Sequence, residues 1–127
     1  MLEEEEDQAI AISEFEGSRV ITLRGEWDVS TRERLRAALT SLGSQGDVLV
    51  DLREASFFDS TALAELIALY KRLAGEGQRL EALVGESNMR RLLELTSLDN
   101  LLGVSNMRAR YLTERLPPPV WPSQESA

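Results

Sequence analysis

The chain has 127 residues, no cysteine and no histidine, and a formal net charge of −8 at neutral pH. That length is one domain's worth and long enough for a single hydrophobic core. The missing cysteine excludes disulfides, thiolate metal sites and thiol nucleophiles, and the missing histidine removes the commonest general base and metal ligand.

The charge is unevenly spread. MLEEEED carries five of the acids, so residues 8–127 hold only −3 and offer no basic stripe to a phosphate backbone. Nucleic-acid binding is therefore not expected. Residues 1–8 read as a solvated acidic tail without the positive charge and apolar core of a leader. No run in the chain approaches the length of a membrane span, so a cytoplasmic protein with no membrane insertion is expected.

Residues 9–15, AIAISEF, alternate apolar and polar and predict a half-buried strand with Ile10, Ile12 and Phe15 inward. Gly17-Ser18 is a turn, and Val20, Ile21 and Leu23 form a second strand closing at Gly25, so the pair reads as an antiparallel hairpin. Ser30 followed three residues later by Glu33 fits a capping box, and Leu35, Leu39 and Leu42 place one apolar stripe on the helix that follows. Arg32, Arg34 and Arg36 fall off that stripe, as a solvated face would. Gly43 to Gly46 ends the helix.

Val48-Leu49-Val50 is a continuous apolar run, the pattern of a central strand covered on both faces. Leu63, Leu66, Ile67, Tyr70 and Leu73 then give a second helix with a buried stripe, stopped at Gly75-Glu76-Gly77. Leu80 to Val84 is a further strand. A helix capped by Ser87, a short strand of Leu101, Leu102 and Val104, and a last helix over 106–116 complete the pattern. From Pro117 the run PPPVWPSQESA forbids helix and reads as an extended tail, with Trp121 able to pack back on the domain. The organisation predicted is a tail at 1–8, one domain at 9–116 and a proline-rich tail at 117–127. Its order β-β-α-β-α-β-α-β-α describes an α/β fold: a mixed, mostly parallel sheet with about four helices packed on it.

Functional loops of open α/β sheets lie at the carboxyl ends of their strands, where Asp59-Ser60-Thr61 stands at a helix start. Free N–H groups and the helix dipole there favour negative charge. Two readings follow: any of the three can be a helix cap, or a hydroxyl can accept a phosphoryl group. A helix needs one cap and three candidates stand in a row, with Leu63 and Ala64 where a capping-box Glu would be. The surplus hydroxyl is what singles out this junction.

Three segments, in order, carry a family resemblance: GEWD at 25–28, VLVDLREASFFDSTAL at 48–63 and RRLLELTSLDNLLGV at 90–104. Together they resemble the STAS domain, the fold of anti-sigma factor antagonists. The resemblance implies a binding module and not an enzyme, with no cofactor of its own. Its phosphoacceptor position falls on Thr61, surrounded by Asp59, Ser60 and, from the neighbouring loop, Asp28. The implied partner is an anti-sigma factor with kinase activity, which brings its own ATP. It binds the unmodified protein, releases a sigma factor, then phosphorylates the hydroxyl and lets go, and a phosphatase can reset the switch. Ala62 stands where the family usually has Gly, and Ser97 where many relatives do.

Ala62, Glu65, Leu69 and Arg72 share the helix face away from the predicted core stripe, and read either as partner-binding surface or as plain surface. Two further readings compete with the switch. One is a non-switching STAS subunit of a stress-signalling scaffold or of a lipid-transport ABC system. The other is metal-assisted phosphoryl chemistry on Asp28, Asp51 and Asp59, disfavoured by the lack of histidine, P-loop or nucleotide fingerprint.

Overall fold

Four strands make one mixed sheet in the order β1-β2-β3-β4: β1 (Ala9–Phe15), β2 (Ser18–Trp27), β3 (Val48–Phe58) and β4 (Leu80–Leu83). The structure, a computed structural model, describes residues 8–43, 45–84 and 119–122. The expected helix from Ser87, the strand at 101–104 and the helix over 106–116 lie outside the described residues. β1 and β2 form the antiparallel hairpin, and β3 and β4 add in parallel. Two helices connect the parallel strands, α1 (Arg32–Ser41) and α2 (Ser60–Gly75). The expected mixed, mostly parallel sheet is thus present.

The hairpin turn needs positive φ at two successive residues, met by Glu16 at 50° and Gly17 at 87°. On β1, Ala9 and Ala11 are buried and Ile10 packs against the main core, but Ile12 is about half exposed. Ile12 pairs with the buried Ile21 and so lies on the core-facing side of the sheet as expected, but on this edge strand it is left without full cover. Small Ala residues can be buried on either face of a strand, and a period-2 pattern of Ile cannot say where cover ends.

β3 is much longer than its apolar run suggests. Its pairing with β2 shifts twice, between Thr22 and Arg24 and between Gly25 and Glu26, and each shift places an extra residue on β3. The core-facing residues are consequently Val50, Leu52, Ala55 and Phe58, spaced by three after Leu52 where a regular strand would space them by two. Arg53, Glu54 and Ser56 break the apolar pattern without ending the strand.

The main core lies between the sheet and the two helices. Ile21, Leu23 and Trp27 of β2 meet Leu35 and Leu39 of α1 and Leu63, Leu66, Leu69 and Leu73 of α2. Trp27 is fully buried, and its indole N–H donates to the Arg24 carbonyl at 3.2 Å, so the ring's one polar atom is satisfied. On the opposite face Val20, Leu49 and Leu83 form a smaller cluster with Phe15. Trp121 does pack back: the Arg24 guanidinium lies 4.2 Å from its ring centroid.

Candidate functional site

β2 and β3 are parallel and end in register, Trp27 opposite Phe58. The next residue on each strand is an aspartate, so the topology sets Asp28 and Asp59 side by side at the carboxyl end of the sheet. The Asp59 N–H donates to the Trp27 carbonyl at 3.2 Å, tying the two exits together. Asp28 thus stands on the loop neighbouring Asp59.

Of the three candidate caps, Asp59 does the capping. Its backbone is extended (φ −96°, ψ −176°), and its carboxylate accepts from the Ala62 N–H at 3.0 Å. Its own carbonyl accepts from the Leu63 N–H at 3.0 Å and begins the helix. Ser60 and Thr61 are therefore the first two residues of α2, and among the described residues neither hydroxyl makes a hydrogen bond. Ser60 is exposed and Thr61 half-buried. Asp59→Ala is expected to cost about 0.5–2 kcal/mol, read as a lower midpoint in thermal unfolding, while Asp59→Asn keeps most of it.

Asp28 caps a separate turn. The chain enters α1 through a short 3-10 turn, Val29–Thr31. The Asp28 carboxylate accepts from the Ser30 N–H at 3.0 Å and the Ser30 hydroxyl at 2.7 Å. The Asp28 N–H donates in return to the Thr31 hydroxyl oxygen at 2.9 Å. These bonds, the Ser30 hydroxyl first, hold the carboxyl below its ordinary value of 3.8, partly opposed by burial. The capping box expected at Ser30 and Glu33 is thus displaced to Asp28 and Thr31. The 3-10 turn postpones the α-helix to Arg32 and leaves Ser30 serving Asp28.

The reading of Ala62, Glu65, Leu69 and Arg72 as an outward face is corrected. Ala62 and Leu69 are each 1% exposed and Glu65 8%. The helix has two buried faces: Leu63, Leu66 and Leu73 lie in the core with the sheet, while the 62-65-69-72 row meets α1. Arg36 binds Glu65 through two bonds, Nε at 3.2 Å and Nη2 at 2.9 Å, and Arg32 Nε approaches it at 3.6 Å. The Glu65 carboxylate holds the Arg36 guanidinium above its ordinary value. Arg72 donates to the carbonyls of Leu39 at 2.8 Å and Gly43 at 3.1 Å, satisfying the carboxyl end of α1. The row is an interhelical seam. Ala62 is buried in the main core cluster, so its methyl offers no surface to an approaching molecule.

Asp51 does not join the other two aspartates. It lies within β3 on the face away from the helices, 4% exposed, and its carboxylate is held by Arg53 at 2.6 and 2.8 Å. Among the described residues no group of three acids could hold a metal. Two apolar residues near the site are not singled out by the sequence pattern. Val29, next to Asp28, is 67% exposed, and Phe57, two before Asp59, is 49% exposed. The available signal is the pair Phe57-Phe58, because consecutive strand residues point to opposite faces and only one can enter the main core.

A sequence model of the family described as "Mlab, STAS domain" matches residues 10–103. The chain is similar to an anti-sigma-B factor antagonist of Bacillus subtilis (strain 168), 27% identical over 76% of this chain and 89% of the relative. A protein of the same description from Staphylococcus aureus (strain NCTC 8325 / PS 47) is 32% identical over 67% of this chain and 81% of its own. Among solved structures, an anti-sigma factor antagonist from Mycobacterium paratuberculosis superposes with a TM-score of 0.72 at 25% identity, covering 83% of this chain and 91% of that one. Among the described residues no helix is long and apolar enough to cross a membrane.

Proposed function

The chain belongs to the STAS domain family, and we propose that it is an anti-sigma factor antagonist switched by phosphorylation of Thr61. The unmodified chain binds an anti-sigma factor that is also a kinase, and sigma factor is released. The partner then transfers the γ-phosphoryl group of its ATP to the Thr61 hydroxyl and dissociates. The chain itself is a substrate and a docking surface, not a catalyst.

The observation that carries this reading is the division of labour at the junction. Asp59 performs the capping, so the Thr61 hydroxyl is left without a structural duty in the first turn of α2. The same turn presents backbone N–H groups and the positive end of the helix dipole, so a phosphate there is tolerated by the fold itself. It is a docked partner that suffers. A phosphate adds about −1.5 to −2 charges beside Asp28 and Asp59, and covering that group means desolvating it. The exposed Val29 and Phe57 give the surroundings of the switch some apolar area for a partner to bury.

Intact-mass and peptide analysis of the protein isolated from cells tests the site. One phosphate is expected, on Thr61, and absent from a Thr61→Ala variant. Phosphate on the more exposed Ser60, or Thr61→Ala modified as fully as the wild type, would overturn the assignment. Co-purification with a permease and an ATPase in place of a kinase would favour the non-switching reading.

A further inference from the structure

Resting on the reading that Thr61 is modified, we infer that Arg32 is a phosphate-binding residue: the seam between α1 and α2 contains a site for the phosphate monoester dianion at residue 61. Glu65 is the pivot of that seam. Its side chain is only 10% exposed and faces two cations that engage it unequally. Arg36 makes both hydrogen bonds, one to each carboxylate oxygen. Arg32 has a single approach of 3.6 Å, too long for a hydrogen bond, and its side chain is 40% exposed. Arg36 therefore satisfies Glu65, and the guanidinium of Arg32, with five N–H donors, makes no hydrogen bond among the described residues.

The helix register brings Arg32 toward Thr61. α1 and α2 follow neighbouring parallel strands, so they run in the same direction. Glu65 meets Arg32 and Arg36, and further along Arg72 meets the carbonyls of Leu39 and Gly43. One turn back from Glu65 is Thr61, which therefore lies beside the start of α1, where Arg32 is the first helical residue. Residues four apart on a helix have Cβ atoms about 5–6 Å apart, a span that the long arginine side chain readily covers.

Modification changes which partner suits Arg32. A dianion one turn from Glu65 sets like charges together, and the carboxylates of Asp28 and Asp59 are close in the sheet register. Arg34 is engaged elsewhere, donating to the Gln8 side chain at 2.9 Å and lying over the Trp27 ring. Arg32 can exchange its one long carboxylate approach for two charge-assisted bonds to phosphate oxygens, and Arg36 keeps Glu65 neutralised when it does so. The exchange holds the phosphate against the fold and keeps it dianionic.

The test uses the full chain with phosphothreonine placed at residue 61 during translation, in wild-type, Arg32→Gln and Arg32→Lys backgrounds. Thermal unfolding of the unmodified variants establishes that each is folded. Phosphorus NMR then follows the second ionisation of the phosphate, ordinarily near pH ~6. In the wild type it should lie roughly half to one pH unit lower, in Arg32→Gln it should return to about 6, and Arg32→Lys should fall between. The Arg32 Nε–H resonance should shift with the phosphate titration while that of Arg36 stays. Identical titration of wild type and Arg32→Gln, or a response at Arg36 alone, would overturn the inference. The phosphate is installed without a kinase, so an unmodified Thr61 in cells would overturn the proposed function and leave this result standing.

Discussion

Leu69→Ala is expected to lower the unfolding free energy by about 2–5 kcal/mol, the range for removing a buried leucine from a packed core. Leu69 is 1% exposed in the main core cluster, where α2 meets the sheet and α1. The range of cost reflects how far that seam can collapse into the cavity. A domain of this kind has some 5–15 kcal/mol in total, so the loss is large, and the midpoint of thermal unfolding should fall by roughly 8–20 °C. The measurement also separates the two readings of this residue. As a surface contact for a partner, Leu69→Ala would change stability by no more than about 0.5 kcal/mol and would weaken association alone. A midpoint unchanged in urea and heat would therefore count against a buried interhelical seam.

On the proposed function, Thr61→Glu is expected to abolish binding of the anti-sigma factor partner, and wild type and Thr61→Ala are both expected to retain it. The Ala variant keeps the unmodified surface and removes only the acceptor, so it should stay bound when ATP is added and wild type should not. The Glu variant puts a permanent negative charge beside Asp28 and Asp59. An unpaired or like charge covered by an interface costs several kcal/mol, so affinity should fall by about two orders of magnitude or more. The fold should be indifferent, because a carboxylate in the first turn of a helix is favourable by a few tenths of a kcal/mol up to about 1. Retention of Thr61→Glu equal to wild type in a titration against the purified partner would contradict the switch.

Much of the site is legible in the order of residues alone. The junction and the surplus of cap-competent residues are local features, and Asp28 enters the sequence reading only through the family resemblance. Which residue caps is not legible there, because Asp59, Ser60 and Thr61 are chemically equivalent candidates until the extended backbone of one of them is known. The capping box assigned to Ser30 fails for a related reason. A 3-10 turn between Asp28 and Arg32 moves the helix start, and two hydroxyls and a carboxylate can exchange duties over such a distance without any change in composition. The misplacement of the 62-65-69-72 row has a different origin. A stripe of Leu, Ile and Tyr marks one buried face, but a helix wedged between a sheet and another helix has two, and the second here includes Glu65 and Arg72, whose types usually lie at the surface.

Periodicity is a record of local geometry. It is sufficient for the strand and helix order through Leu83 and for the place of Thr61 at a strand exit, since each depends on residues within a few positions of one another. What it leaves open depends on residues far apart in the chain. Arg36 and Glu65 are 29 positions apart, and Arg72 and Leu39 33. Their meeting follows from the parallel register of β2 and β3 and the two extra residues in β3 that carry the strand ends together. The junction of strand and helix is written in neighbouring residues; the arginine and the second aspartate that give it an electrostatic setting arrive only when the sheet and the helices have packed.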